Sequence, residues 1–144
     1  TIVSGATEAL FAAVHCCVSP GDEVIMFDPS YDAYDPIVRL AGGIPIHIPL
    51  KASNNFAIDW STLASKITPR TRAIMVNSPH NPSGYVWSQE DVNNLATLVT
   101  QHGLYVVSDE VYEHILFDGN LYYGLKCQPR PVDGKDRMPL TDRP

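Results

Sequence analysis

Short apolar runs separated by helix-period segments constrain this chain more than any other feature. Val24-Ile25-Met26-Phe27, residues 73–76 and residues 104–107 are runs of this kind, the pattern of strands buried on both faces. Ile44, Ile46 and Ile48 alternate, as a strand also does. Between them lie helical patterns. Leu10, Ala13, Val14 and Cys17 share one helical face after Gly5, and Pro20-Gly21 ends that segment. Tyr34, Ile37, Val38 and Ala41 share another, with Pro36 tolerated in the first turn and Gly42-Gly43 as the stop. Asp59 is placed to cap a helix burying Trp60, Leu63, Ala64 and Ile67. Ser88 is placed to cap one whose inner face is Val92, Leu95, Ala96 and Val99, ending at Gly103.

Strands joined through helices pair in parallel, because a parallel pair needs a crossover connection. The predicted fold is therefore α/β: a three-layer sandwich, a mostly parallel sheet with helices on both faces. Residues 1–119 form the patterned part, a partial domain. Residues 120–144 hold four of the twelve prolines without sustained periodicity and read as loop or disorder. An abrupt start just before a strand-to-helix junction, with an unpatterned tail, leads us to expect a piece of a longer protein. A sheet cut on both sides exposes its edges, so self-association is expected of such a piece.

Bulk properties narrow the function. The net charge of −6 argues against nucleic acid or an anionic membrane as partner. No apolar run is long enough to span a bilayer, and TIVSGATEAL lacks a signal peptide's basic region. The adjacent Cys16 and Cys17, in an apolar stretch, read as reduced core thiols of a cytosol-like compartment. His15, His47, His102 and His114 show no metal-ligand spacing, so no metal site is expected.

In sheets of this class, ligands gather at the carboxyl ends of the strands. The residues just after the apolar runs are Asp28 to Tyr31, Asn77 to Asn81 and Asp109 to Tyr112, and Gly5-Ala6-Thr7 opens the first helix. Small residues at that helix start admit an anion to backbone N–H groups, and Thr7 adds a hydroxyl, although glycine and threonine also serve as ordinary caps. Tyr31 can stack on a flat heteroaromatic ring or simply cover the sheet edge. Asn77-Ser78-Pro79-His80-Asn81-Pro82-Ser83-Gly84 is a rigid irregular loop whose two asparagines can hold neutral donors toward one ligand. Turn chemistry alone does not need both asparagines and both prolines, and His80 is left as loop scaffold. Asp109 ends a buried strand, where a carboxylate is costly without a positive partner; a protonated pyridine nitrogen would supply one. Tyr112, three residues on, can offer its phenol to the same ring. The glycine fingerprints of dinucleotide and P-loop sites are absent from the sequence.

The ordered set Gly5-Ala6-Thr7-Glu8-Ala9-Leu10, Gly21-Asp22-Glu23-Val24, Asp28-Pro29-Ser30-Tyr31, the Asn77 to Gly84 loop, and Ser108-Asp109-Glu110-Val111-Tyr112 resembles the fold-type I, class I/II aminotransferases. The wording of residues 27–36 and 108–114 is most similar to the kynurenine/glutamine transaminase branch and its bacterial methionine-transaminase relatives. The resemblance implies pyridoxal 5′-phosphate as cofactor, α-amino acids and 2-oxo acids as substrates, and a homodimer for the complete enzyme. It implies that Ala6 and Thr7 bind the cofactor phosphate and that Tyr31 stacks on the ring. Asn77 would line the ring, and Asn81 would donate to the phenolic oxygen near the substrate carboxylate. Asp109 would pair with the ring nitrogen, and Tyr112 would donate to the phenolic oxygen. A cytoplasmic location is expected, or a mitochondrial one if a leader precedes this chain.

The family's Schiff-base lysine follows this point in the chain, and neither Lys126 nor Lys135 sits in a matching segment, so no catalytic residue is assigned here. Two alternatives share the pocket: a β-lyase of the same fold, and a truncated fragment that binds the cofactor without catalysis.

Overall fold

The computed structural model describes residues 1–125. Four strands alternate with helices in the predicted order. Helix α1 (Ala6–Cys17) leads into β1 (Glu23–Asp28), and α2 (Tyr34–Leu40) into β2 (Ile44–Pro49). A 3-10 turn (Ala52–Asn54) and α3 (Trp60–Ser65) precede β3 (Thr71–Asn77). Helix α4 (Gln89–His102) then leads to β4 (Tyr105–Asp109). The strands form one sheet in the order β2-β1-β3-β4, and every pairing is parallel.

Strand alternation divides the core into two. Val24 and Met26 of β1, Ala73 and Met75 of β3, and Val107 of β4 pack against Leu10 and Val14 of α1 and Tyr34, Ile37 and Val38 of α2. Ile25 and Phe27, Ile74 and Val76, and Ile48 face the other way, against Leu63 of α3 and Leu95 of α4. Helices thus cover both faces, as predicted. The central strand β3 is buried at every position because it has a strand on each edge and a helix layer on each side. Full burial of one such aliphatic side chain contributes about 1.5–3 kcal/mol, so the six-residue β1, buried through Phe27, is a principal anchor of the fold.

Several details depart from the sequence reading. Ile44 is exposed, because β2 lies at the sheet edge and this residue begins it. Helix α3 stops at Ser65, so Ala64 faces solvent and Ile67 packs from the following turn; Pro69 stands close behind and bars continuation. On α4 the inward face is Val92, Leu95, Leu98 and Val99, whereas Ala96 is exposed. Cys16 is exposed rather than in the core, since one residue's rotation of about 100° carries it off the face that half-buries Cys17. Both thiols are free. Residues 1–3 form no strand ahead of α1. The expected loop character of the tail falls, from residue 126 on, outside the described residues. Among the described residues no helix is long and apolar enough to cross a membrane.

Candidate active site

The carboxyl ends of β1, β3 and β4 open into a cavity of about 210 Å3. Its lining contains every residue singled out from sequence: Ala6, Thr7, Tyr31, Asn77, Asn81, Asp109 and Tyr112. Leu10, Tyr34 and Val111 complete it. A larger cavity of about 370 Å3 lies past the end of β2, but its acid, Asp59, is spent capping α3 through the Thr62 N–H and the Ser61 and Thr62 hydroxyls.

The floor of the smaller cavity is built by the β3–β4 pairing. Asn77 and Asp109 are register partners at the last rung of that pairing. The Asn77 amide donates to the Asp109 carbonyl at 2.9 Å, and its oxygen accepts the Asn81 N–H at 2.6 Å. Asn77 thus spends both ends of its side chain on scaffold, fixing the entry of the 77–84 loop. His80 is buried within that loop, its Nδ1 2.6 Å from the Ser83 hydroxyl. Burial holds its imidazole below the usual value, against the pull of a hydrogen bond to the Pro29 backbone. That contact joins the loop after β3 to the loop after β1, which carries Tyr31.

Asp109 is 9% exposed. One carboxylate oxygen, Oδ2, accepts the Tyr34 hydroxyl at 2.7 Å, and Oδ1 accepts the Val111 N–H at 3.2 Å. Among the described residues no lysine, arginine or histidine forms an ion pair with it. A buried carboxylate satisfied only by neutral donors has no opposite charge beside it, which leaves that place to a cation that enters the cavity. Across the cavity Asn81 Nδ2 lies 3.4 Å from the Tyr112 hydroxyl, placing an amide and a phenol side by side. Tyr31 meets Tyr34 edge to face, with centroids 5.6 Å apart.

At the third side, α1 begins without a side-chain cap. Gly5 adopts φ 96°, a left-handed-side conformation that glycine tolerates, and no atom lies within 4 Å of where a Cβ would stand. Ala6 and Thr7, in the first turn of α1, both line the cavity and stand in the positive field of the helix start.

Tyr34 is the site residue that sequence reasoning missed. Its helical spacing with Ile37 and Val38 reads as core, and it is 4% exposed. The available signal was positional: it opens α2 three residues after Tyr31, at the same strand-end layer as the other site residues.

Comparison with known proteins decides the family. The profile described as Aminotransferase class I and II matches residues 1–137. The chain belongs to the class I and II aminotransferases. It is 45% identical over 130 residues to a methionine aminotransferase of Escherichia coli K12, which covers 90% of this chain and 33% of that protein. It is 38% identical over 138 residues to kynurenine–oxoglutarate transaminase 1 of Rattus norvegicus, covering 89% and 33% respectively. The crystal structure of an Escherichia coli protein with methionine aminotransferase function superposes with a TM-score of 0.82 at 46% identity, covering 86% of this chain and 32% of that one. Aspartate aminotransferase of Thermus thermophilus, solved with maleate, gives 0.79 at 40% identity, covering 83% and 31%. The chain spans about a third of the length of the curated aminotransferases it matches.

Proposed function

We propose that this chain forms the cofactor-binding core of a pyridoxal-phosphate-dependent aminotransferase that moves an amino group between an α-amino acid and a 2-oxo acid. The observation that carries the reading is Asp109: a buried carboxylate at a strand end, held by neutral donors only and facing a cavity rimmed by an aromatic ring and phenol and amide donors. That donor set fits a phosphorylated 3-hydroxypyridine. When bound, the cofactor supplies an electron-withdrawing ring that accepts the electron pair released at the substrate's α carbon.

The chain's own residues would poise that ring. Asp109 would hold a proton on the pyridine nitrogen, because its negative charge lies in a poorly solvated site. Tyr112 and Asn81 would donate to the phenolic oxygen, with Asn81 also facing the substrate carboxylate. Tyr31 would cover the ring and exclude water from it. Thr7, with the N–H groups of Ala6 and Thr7 at the start of α1, would take the phosphate. The covalent lysine and a substrate-binding arginine would come from protein outside these residues, and assembly as a homodimer belongs to the same reading.

Spectral titration with pyridoxal 5′-phosphate tests this. Wild-type protein should bind saturably, and Asp109→Ala should weaken binding at least about tenfold, the scale of losing a charged partner in a buried pair. No saturable binding, or equal binding by the variant, would refute the site.

A further inference from the structure

The Asp109 carboxylate is oriented by a residue from a distant part of the chain. Tyr34 stands at the start of α2, 75 residues before Asp109, and its hydroxyl donates to Oδ2 at 2.7 Å. Burial, and then the hydrogen bond and charge of Asp109, push the Tyr34 phenol far above its ordinary value, so it stays a donor at neutral pH. The Val111 N–H takes Oδ1, and the Asn77 amide takes the Asp109 backbone carbonyl. A carboxylate on a strand end has two side-chain torsions, and donors on both oxygens fix both of them. A lysine or arginine in place of Tyr34 would orient the group equally well but would also neutralise it. A phenol orients it and leaves the charge in place.

We infer that Tyr34 is a positioning residue that aims the Asp109 carboxylate at the nitrogen of a bound pyridine ring. This rests on the cofactor reading above. The competing role is purely structural: the Tyr34 ring fills the core beside Ile37 and Val38 and meets Tyr31 edge to face. Phenylalanine preserves that packing and removes only the donor, so the two roles separate cleanly.

The experiment uses the complete protein as wild type, Tyr34→Phe, Asp109→Asn and the double variant, at neutral pH. Two probes are titrated: 4′-deoxypyridoxine 5′-phosphate, which lacks the aldehyde and binds without any lysine, and its analogue with CH in place of the ring nitrogen. The readout is the ratio of the two dissociation constants. Wild type should prefer the pyridine probe, and Tyr34→Phe should narrow that preference about tenfold, equivalent to about 1.4 kcal/mol. In the Asp109→Asn background, Tyr34→Phe should narrow it no further. A poorly folded variant lowers the competent fraction for both probes alike and leaves the ratio intact. If Tyr34→Phe weakens both probes equally, or neither, while Asp109→Asn abolishes the preference, the positioning role is wrong and the cofactor reading stands. If wild type shows no preference, or Asp109→Asn retains it, the cofactor reading fails and the positioning role falls with it.

Discussion

Asp91→Ala should destabilise the protein more than a typical change at a helix start. Asp91 is 6% exposed and accepts four hydrogen bonds: Trp60 Nε1 at 3.0 Å, the Tyr85 hydroxyl at 2.8 Å, the Ser88 N–H at 2.9 Å and the Ser88 hydroxyl at 2.8 Å. It therefore joins α3, the start of α4 and the exit of the 77–84 loop, whose His80 N–H is bonded to the Tyr85 carbonyl. Losing the capping box costs about 1 kcal/mol. Stripping a charged acceptor from each of the two aromatic donors costs about 1 kcal/mol apiece, since both are half-buried and partly reach water. The expected loss is about 3 kcal/mol, seen in urea unfolding as a midpoint lower by about 2 M at an m value of about 1.5 kcal/mol/M. Burial works to raise the Asp91 carboxyl, but the hydrogen bonds from Ser88, Tyr85 and Trp60 prevail and hold it below the usual range. Its contribution is accordingly complete above the unfolded value of about 3.9 and fades as pH falls through the folded one. The gap between wild type and variant should narrow in acid by the share that the lowered carboxyl supplies. A loss under about 1 kcal/mol at neutral pH, or a gap of constant size from pH 7 to 3, would refute this account of the network.

Two glycines should fail for different reasons. A Cβ on Gly43 would stand 2.8 Å from Val18 Cγ1 and 3.0 Å from Val38 Cγ1, so Gly43→Ala should cost about 1–3 kcal/mol by overpacking and be relieved by Val18→Ala. Gly84 has φ 75° and nothing within 4 Å, so Gly84→Ala should cost about 1–2 kcal/mol from backbone strain alone and be relieved in part by Gly84→Asn. Thermal unfolding of each single variant and its rescue partner checks both; rescue in the crossed combination would contradict the assignment. Burial depresses His80, so the unfolded chain takes up its proton first as pH drops. Stability should fall from about pH 6.5 down through the folded value. His80→Gln should flatten that slope in denaturation series across pH, and parallel slopes for the two proteins would exclude His80 as its source.

The site's logic lies in how charge is partitioned. Glu23 is buried at the opposite end of the sheet from the cavity, and its carboxyl lies low because Thr68 donates to it and Arg70 forks onto it. Arg72 is buried too, its guanidinium donating to the Cys17 carbonyl at the end of α1 and lying 4.6 Å from the Tyr105 ring centroid. Asp109 and Asp91 are both buried acids with neutral partners, but Asp109 alone of the two lines the cavity, at the end of the sheet where a ligand can reach it.

The sequence by itself determined the class of fold and the level at which the site would lie. Apolar runs such as Val24 to Phe27 admit only strands covered on both faces, the connecting helices demand parallel pairing, and the breaks after each run place Tyr31, Asn81, Asp109 and Tyr112 at one end of the sheet. Helix starts were legible where the capping chemistry is local, as at Asp59 and Ser88, whose side chains accept the N–H groups of Thr62 and Asp91. What tertiary structure alone decided are relations that no periodicity encodes. Strand order put β1 and β3 in the centre and β2 at an edge, which is why Ile44 is exposed despite its alternating pattern. The packing of α1 on the sheet left Cys16 outside. Asn77 lines the cavity as expected, but that its amide also ties the two strand ends together follows only from its register with Asp109, which brings the amide onto that carbonyl. Tyr34 looked like core and belongs to the site, because α2 is laid across the sheet so that its first residue ends 2.7 Å from an aspartate on a strand two places away. Helical and strand periods report which face of an element is covered. The partner that covers it is set by the packing of the whole layer.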